Sequence, residues 1–270
     1  MSALSLRNVW MQYGAQVVLE RIGLEIESGG FLAVVGPSGS GKTTLLRLLL
    51  GQERPTRGTI LLDGEPMPGE PGPDRGVVFQ RYSVFPHLTV LGNVMLGLEL
   101  SGSPQLGRLF GRRRREAAER SLALLGEVGL AEAAGKYPTQ LSGGMQQRLA
   151  LAQALIRKPR VLLLDEPFGA LDPGIRAEIH VVMRRLWRET GVTVVMVTHD
   201  LREAFSLGTR VVVLDRLRDR PEEKLRYGAT ISQNIAVHRR QRDGDPAFIS
   251  GRDDPASKER LRRDDPATAH

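Results

Sequence analysis

The chain has 270 residues, of which 41% are hydrophobic and 26% are charged, and its formal net charge is +7. These values exclude a chain that is disordered along its whole length. The longest apolar runs fall far short of the roughly 18 to 20 residues that a membrane helix needs. Cysteine is absent, which excludes disulfides, thiolate metal sites and a cysteine nucleophile. The N-terminus lacks a signal-peptide pattern, so the sequence predicts a cytosolic protein.

The first third of the chain has the residue pattern of β-strands. Apolar and polar residues alternate over residues 4–9 and 22–26, which predicts strands with one wet face in an antiparallel layer. Phe31–Val35 is continuously apolar, as in a strand buried on both faces of a parallel sheet. Similar apolar runs recur at residues 77–79, 161–164, 192–197 and 211–214, mostly with helical patterns between them. Strands that alternate with helices predict an α/β fold with a mostly parallel sheet.

The rest of the chain divides into a helical part and a charged end. Residues 90–157 contain no strand-like run and are predicted to be helical. A second helix is predicted after residue 172, with Asp172 placed to cap it and Pro173 to open it. Beyond residue 214, Arg, Asp and Pro crowd the sequence. A strand is predicted at residues 228–237, and the last thirty or so residues are predicted to be disordered because apolar residues are sparse.

A glycine-rich loop directly follows the buried strand. Residues 36–43 read GPSGSGKT and match the pattern G-x-x-x-x-G-K-[ST], with a helix predicted from Thr43. Such glycines let backbone N–H groups turn toward phosphate oxygens, and the helix N-terminus adds a partial positive charge. Lys42 is expected to reach the β- and γ-phosphates, and the Thr43 hydroxyl to ligate Mg²⁺. The plainer alternative is a turn that only joins strand to helix, but the order strand, loop, helix favours a nucleoside triphosphate site.

Two acids end another predicted buried strand. Asp165 and Glu166 directly follow the apolar run at residues 161–164. Acids beside a phosphate-binding loop are what a P-loop hydrolase needs. Asp165 is therefore predicted to hold Mg²⁺, and Glu166 to polarise or deprotonate the attacking water. The alternative is a pair of solvated acids at a strand end.

Residues 141–148, LSGGMQQR, resemble the signature of ATP-binding cassette (ABC) ATPases, and further short motifs occur in that family's order. The resemblance implies that Tyr13 stacks on adenine, that Gln80 contacts Mg²⁺ and the attacking water, and that His199 contacts the γ-phosphate. Each has a plainer alternative: a core aromatic for Tyr13, a strand-end amide for Gln80, and a helix cap for His199. Asp172 resembles part of the loop that crosses between two such domains.

The signature also has a physical interpretation. Ser142, Gly143 and Gly144 begin a helix predicted to continue through Arg157, so they form a second helix N-terminus suited to phosphate. The resemblance implies that they serve the ATP held by a facing subunit, so that two nucleotides are sandwiched head to tail. The residues implied to contact ATP are Tyr13, Gly36, Pro37, Ser38, Gly39, Ser40, Gly41, Lys42, Thr43, Thr44, Ser142, Gly143, Gly144 and Asp172. Those implied in catalysis are Lys42, Gln80, Glu166 and His199, and those implied to hold metal are Thr43, Gln80 and Asp165.

The family resemblance carries expectations about fold and function. It implies a P-loop NTPase with a RecA-like, mostly parallel sheet, an N-terminal antiparallel β layer and a helical subdomain at about residues 90–157. These parts form an ABC ATPase domain over residues 3–215, followed by a charged C-terminal extension over residues 216–270. The implied function is an ATP-hydrolysing motor on the cytoplasmic face of a bacterial plasma membrane. Its implied partners are a second copy, permease subunits and a solute-binding protein, with no nucleic acid.

Finer features of the sequence narrow the function. Residues 72–80 and 85–90 look most like importers of the nitrate, sulfonate and taurine group. Exposed Phe85 and Leu88 would suit a groove for a permease helix, within residues 82–93. The alternatives are an exporter motor and an ATPase that acts on nucleic acid or ribosomes, although the coiled-coil insertions of the latter are missing. The four arginines at residues 112–115 are interpreted as a solvated helix start, with contact to anionic lipid as the alternative.

Overall fold

The structure is a computed structural model that describes residues 2–80, 84–102, 107–218, 220, 223, 225–238 and 248–249. In chain order the strands are β1 (Ser2–Tyr13), β2 (Gln16–Glu27), β3 (Phe31–Val35), β4 (Arg57–Leu62), β5 (Glu65–Pro66), β6 (Arg75–Val78), β7 (Val161–Asp165), β8 (Thr193–Thr198), β9 (Arg210–Asp215), β10 (Thr230–His238) and β11 (Phe248–Ile249). The helices are α1 (Lys42–Leu50), α2 (Val90–Gly102), α3 (Gly111–Glu127), α4 (Gly143–Leu155), α5 (Pro173–Thr190) and α6 (Leu201–Leu207). Most of the predicted disordered tail lies outside the described residues.

The strands form two sheets. The first has the order β2-β1-β4-β5 and is antiparallel throughout, which confirms the antiparallel layer predicted from the alternating residues. The second has the order β11-β10-β9-β3-β8-β7-β6, and its strands from β9 to β6 are parallel. The predicted α/β fold with a mostly parallel sheet is therefore confirmed.

The main sheet is covered on both faces, and β3 lies at its centre. Phe31, Ala33 and Val35 pack into a core that includes residues of α2, α4 and α5. Leu32 and Val34 point the other way, into a core shared with α1 and the antiparallel sheet. Side chains of a strand alternate between faces, so a strand buried on both faces must be apolar at every position. This explains the unbroken apolar run.

The register of the parallel strands places the site. Val35 at the end of β3 pairs with Thr198 at the end of β8, and Val197 in β8 pairs with Asp165 at the end of β7. In β6, Val78 pairs with Leu164. The loops that follow β3, β6, β7 and β8 therefore leave the same carboxyl edge as neighbours. Ligands of open α/β sheets bind at this edge.

The helices differ from the predictions mainly at their ends. α1 begins at Lys42, one residue before the predicted Thr43. α4 ends at Leu155, two residues before the predicted Arg157. Asp172 occupies the N-cap position of α5, but its side chain makes no capping hydrogen bond, so that part of the prediction was wrong. Instead, Arg176 contacts the loop before this helix, as described below. Within the described residues, no helix has the length and hydropathy that crossing a bilayer requires.

Two peripheral features were also predicted. The strand expected at residues 228–237 is present as β10, and it extends the main sheet by pairing antiparallel with β9. The four arginines lie in the first turn of α3 and are exposed. Arg112 pairs with Glu116 at 2.7 Å, with 92% and 52% of their side-chain surfaces exposed. This is the geometry of a solvated helix start, where such a pair contributes little to stability.

Candidate functional site

The loop between β3 and α1 needs glycine at two positions for steric reasons. A Cβ on Gly36 would lie 2.2 Å from the carbonyl oxygen of Leu214, so β9 leaves room only for a hydrogen. Gly41 has φ +87°, in the left-handed region, and a Cβ there would lie 2.8 Å from Leu19 Cδ2. The loop is thus packed tightly against β9 on one side and β2 on the other. These contacts hold the loop in a turned conformation, the kind of backbone from which N–H groups can bind phosphate.

Lys42 is the cation of this loop. Its Nζ donates hydrogen bonds to the carbonyl oxygens of Gly36 at 2.8 Å and Pro37 at 2.9 Å. The residue is 7% exposed, so the loop fixes the ammonium group rather than leaving it to solvent. An ammonium group has three N–H donors, and the two bonds to the loop leave a third that can meet an incoming oxygen.

A cleft of about 320 Å³ opens in front of the loop. Its lining residues are Val18, Ser38, Gly39, Gly41, Lys42, Thr43, Thr44 and Glu166. The structure therefore brings the phosphate loop and the acid after β7 to one cavity, as the sequence predicts. The signature residues Ser142, Gly143 and Gly144 are not among the lining residues.

Asp165 lies at the end of β7 next to this cleft. Burial, followed by the negative charge of Glu166, raises the pKa of Asp165 above its ordinary value, while Lys42 and Arg47 oppose the rise. Two neighbouring carboxylates of which one is partly buried favour a bound cation, because the cation relieves their repulsion. The described residues contain no group of three or more His, Asp or Glu that could hold a metal by themselves. A magnesium ion here would be held by a few protein oxygens together with phosphate and water, which is how Mg²⁺ is usually bound.

Glu166 is the residue on which the predicted catalytic groups converge. Gln80 Nε2 lies 3.5 Å from Glu166 Oε2, and His199 Nδ1 lies 3.2 Å from the same oxygen. The Glu166 backbone has φ +44°, which is uncommon for a residue other than glycine, and its N–H donates to Val197 O at 2.9 Å. The turn after β7 is thereby tied to β8, and the carboxylate is aimed along the edge of the sheet.

For Tyr13 and His199, the plainer alternatives from the sequence analysis do not match the structure. Tyr13 ends β1 and is 42% exposed, so it is not a core aromatic. His199 does not cap α6, because Asp200 occupies that position and accepts from the N–H groups of Arg202 and Glu203.

Sequence reasoning missed the partner that orients Tyr13. The Tyr13 hydroxyl donates to Glu53, in the segment after α1, and Glu53 also lies 3.5 Å from Arg47. The ring is thus held at the end of β1 by a residue 40 positions later. No local pattern marks Glu53, because its role depends on the packing of α1 against the antiparallel sheet.

The signature helix α4 begins as the sequence predicts. Ser142 is its N-cap, and its hydroxyl accepts from Met145 N at 3.4 Å. Gly144 is buried against α5, where a Cβ would lie 2.5 Å from Ile175 Cγ2. Ser142 and Gly143 are exposed, so their hydroxyl and N–H groups face away from the chain's own core.

The segment before α2 is held in place by one buried amide. Asn93 is fully buried; it accepts from Phe85 N at 2.7 Å and donates to the carbonyl oxygens of Phe85, Leu88 and Thr89 at 3.0 to 3.1 Å. This leaves Phe85 39% exposed and Leu88 half-buried. The predicted groove also includes Tyr82, which lies outside the described residues.

His180 on α5 gives a pH-dependent prediction for stability. It is 9% exposed, packs edge-on against Phe168 with ring centroids 4.8 Å apart, and its Nε2 has no hydrogen-bond partner among the described residues. Burial, and then the nearby charges of Arg184 and Arg176, lowers its pKa from 6.5 to about 4. The folded chain thus binds this proton less readily than the unfolded chain does. The resulting stability is present above pH 6.5 and is lost progressively as the pH falls toward about 4.

We therefore expect His180→Gln to flatten this dependence. Between pH 7.5 and 5.5 the wild type should lose about 1 kcal/mol more unfolding free energy than the variant loses. Denaturant titrations at both pH values measure the difference directly. Equal losses in the two proteins would show that His180 takes up its proton in the folded state.

Known proteins are similar to this chain in sequence and in fold. A family model described as ABC transporter matches residues 19–169. The chain is 45% identical over 216 residues to the aliphatic sulfonates import ATP-binding protein SsuB 1 of Burkholderia cenocepacia (strain HI2424), covering 80% of this chain and 62% of that protein. It is 46% identical over 201 residues to the nitrate import ATP-binding protein NrtD of Synechocystis sp. (strain ATCC 27184 / PCC 6803 / Kazusa), covering 74% and 72%. The alignment thus spans less than two thirds of the length of the Burkholderia relative.

A solved structure matches nearly the whole described fold. The dimeric post-hydrolysis state of the ATP-binding cassette MJ0796, bound to ADP and Pi, aligns with a TM-score of 0.69 at 32% identity, covering 88% of this chain and 100% of that one. The family model covers more than half of this chain, from β2 to the loop after β7, and includes the phosphate loop, the signature and the acidic pair. The chain belongs to the ABC transporter family.

Proposed function

We propose that this chain is the ATP-hydrolysing motor subunit of a bacterial ABC importer, acting as a dimer that encloses two nucleotides. The observation that carries the proposal is the convergence on Glu166. Its Oε2 lies within 3.5 Å of both Gln80 and His199, and the residue lines the cleft of the phosphate loop. A carboxylate with two polar partners at the mouth of a phosphate cradle is suited to orient water for attack on a terminal phosphate.

The phosphate loop would hold the triphosphate of ATP. Backbone N–H groups of the loop would bind phosphate oxygens, together with the N-terminus of α1. Lys42 adds its charge to the β- and γ-phosphates from a position that the loop carbonyls already fix. Tyr13, held by Glu53, offers an exposed ring on which adenine can stack.

Magnesium fits the oxygen donors beside the loop. The Thr43 hydroxyl and the Asp165 carboxylate would hold it, and Gln80 would contact it through its amide oxygen. Bound there, the ion would neutralise charge on the β- and γ-phosphates. The raised pKa of Asp165 supports this assignment, since a cation stabilises the ionised form of a carboxyl that is otherwise disfavoured by burial and by Glu166.

Hydrolysis would proceed at the γ-phosphate. Glu166 accepts a hydrogen bond or the proton from the attacking water, and Gln80 orients that water from the adjacent strand end. His199 contacts the γ-phosphate from β8. The oxygen of water forms a bond to phosphorus as the bond to the ADP oxygen breaks, which yields ADP and inorganic phosphate.

A second copy would complete each site. Ser142 and Gly143 are exposed and begin a helix, but they do not line the chain's own cleft, so they are available to a facing subunit's γ-phosphate. Asp172 lies in the loop that would cross the interface. The MJ0796 cassette, described as a dimer bound to ADP and Pi, supports this arrangement. The γ-phosphate would then be the contact that distinguishes the closed dimer from the open one.

Mixing two inactive variants tests this composite site. Lys42→Ala damages the phosphate loop of a subunit, and Ser142→Arg blocks its signature, so each homodimer should be inactive. In a mixed dimer, one site pairs the intact loop of one subunit with the intact signature of the other. An equimolar mixture should therefore regain about a quarter of the wild-type ATPase rate if sites act independently.

The mixing experiment also tests the alternative that the signature acts on the nucleotide of its own chain. In that case neither variant supplies what the other lacks, and the mixture should stay as inactive as its components. Wild-type turnover by Ser142→Arg alone would also contradict the proposal. Exchange of subunits is verified by native mass spectrometry of the same mixture.

Import through separate permease subunits completes the proposal. The named relatives are import ATP-binding proteins for sulfonates and nitrate, which supports an importer of the nitrate, sulfonate and taurine group. The chain would bind the permease subunits at the cytoplasmic face of the plasma membrane through the loop that Asn93 fixes, with a solute-binding protein as a further partner. The domain limits at residues 215 and 216 and the helical subdomain at about residues 90–157 belong to the same proposal. A strain that lacks the chain should lose growth in one of two tests: on a sulfonate as the sole source of sulfur, or on nitrate as the sole source of nitrogen.

A further inference from the structure

A partly buried ion network connects the loop before α5 to the turn that carries His199. Arg176 lies in the first turn of α5, and its Nη2 donates to the carbonyl oxygen of Leu171 at 3.1 Å. Its Nη1 donates to Asp200 Oδ2, also at 3.1 Å, and its Nε lies 3.5 Å from Glu203 Oε1. One guanidinium group therefore contacts the loop before α5 and two acids at the start of α6.

The same network includes both chain neighbours of His199. Thr198, which precedes it, donates its hydroxyl hydrogen to Glu203 Oε2 at 2.7 Å. Asp200, which follows it, donates its N–H to Thr198 Oγ1 at 3.0 Å. The backbone on each side of His199 is thus fixed by groups that Arg176 contacts directly or through one residue. The histidine side chain itself remains 63% exposed, and its Nδ1 lies 3.2 Å from Oε2 of Glu166, which lines the cleft.

The charges of the network favour a fixed geometry. Glu203 is 3% exposed, and burial raises its pKa above its ordinary value, against which the Thr198 hydrogen bond and the Arg176 charge act. A buried carboxylate without a cation is strongly unfavourable, so removal of Arg176 should disturb the acids rather than leave them in place. Arginine suits this position because its planar fork bonds several acceptors at once, whereas lysine presents a single charged group.

We propose that Arg176 is a positioning residue that locks the loop carrying Asp172 to the turn carrying His199, so that both adopt their catalytic positions together. This inference rests on the proposed ATPase function and on the composite dimer. When a facing subunit contacts residues 170–172, a shift of the Leu171 carbonyl is passed by Arg176 to Asp200 and so to His199. The contact from the second subunit would thereby control the group that meets the γ-phosphate.

Three variants test the positioning role. Arg176→Gln removes the charge and the fork, and we expect kcat for ATP to fall roughly 10- to 100-fold, since small misplacements of catalytic groups have effects of this size. The Kd for MgATP should change less than about threefold, because the phosphate loop does not contact the network. Arg176→Lys restores the charge without the fork and should recover only part of kcat. Arg188→Gln makes the same substitution at the other end of α5 and should keep the wild-type kcat.

A double-mutant cycle separates positioning from a purely structural role. If Arg176 acts through His199, then Arg176→Gln should reduce kcat little further in a His199→Gln background. Multiplicative losses in the double variant would overturn the inference, and so would an Arg176→Gln variant with wild-type kcat. If Arg176→Gln lowers the melting temperature, the cycle is measured well below it, with the folded fraction determined by circular dichroism.

The outcomes also separate this inference from the function on which it rests. A wild-type chain that does not hydrolyse ATP would contradict the proposed function itself. A wild-type chain that does, together with independent effects of Arg176 and His199, would contradict only the positioning role.

Discussion

Replacing Lys42 with alanine is expected to reduce ATP turnover by at least about 100-fold, the loss typical of removing one preorganised group that stabilises transition-state charge. The ammonium group is held by the carbonyl oxygens of Gly36 and Pro37, so its position depends little on the ligand. Its removal withdraws a fixed positive charge from a cleft in which negative charge accumulates on the phosphates. MgATP binding should weaken as well, because the triphosphate loses a charge-assisted hydrogen bond.

The measurement is steady-state phosphate release together with MgATP titration by calorimetry. Lys136→Ala is the matched control, since Lys136 is exposed, carries the same charge and lies away from the cleft. The melting temperatures of both variants show whether each is folded. Turnover by Lys42→Ala at the rate of Lys136→Ala would refute the assignment of the phosphate loop.

Replacing Glu166 with glutamine should separate nucleotide binding from hydrolysis. The substitution keeps the size of the side chain and an oxygen for Gln80 and His199, but it removes the charge that acts on water. We expect kcat to fall at least about 100-fold. MgATP should still bind, because the substitution leaves the phosphate loop that lines the cleft unchanged. ATP that binds and is not hydrolysed should accumulate the closed dimer.

Light scattering at saturating MgATP measures this dimer directly. Glu189→Gln serves as the control, because it makes the same change at an exposed position near the end of α5. The control should behave as the wild type does and return to monomer as ATP is consumed. A Glu166→Gln protein that stays monomeric at saturating ATP and Mg²⁺ would contradict the ATP-dependent dimer.

Neighbouring residues in the chain determine the parts of the site that sequence alone predicts well. The phosphate loop is eight consecutive residues that match one short pattern, although the contacts that exclude a side chain at Gly36 and Gly41 come from the distant strands β9 and β2. The buried strands are recognisable because burial on two faces demands apolar residues at every position. Asp165 and Glu166 could be recognised as site residues because they directly follow a predicted buried strand. Each of these patterns lies within a short segment of the chain, so it can be recognised without knowledge of the tertiary structure.

The sequence therefore determined the fold class, the phosphate loop and the identity of the acids, because each is encoded within a short segment. The tertiary structure decided which distant residues meet. Gln80 reaches Glu166 across 86 positions, Glu53 holds Tyr13 across 40, and Arg176 links two loops where Asp172 was expected to cap its own helix. Strand order and packing set these pairings, and a one-dimensional pattern does not carry them, because the free energy of such contacts depends on burial and on neighbours that are assembled only in the folded chain.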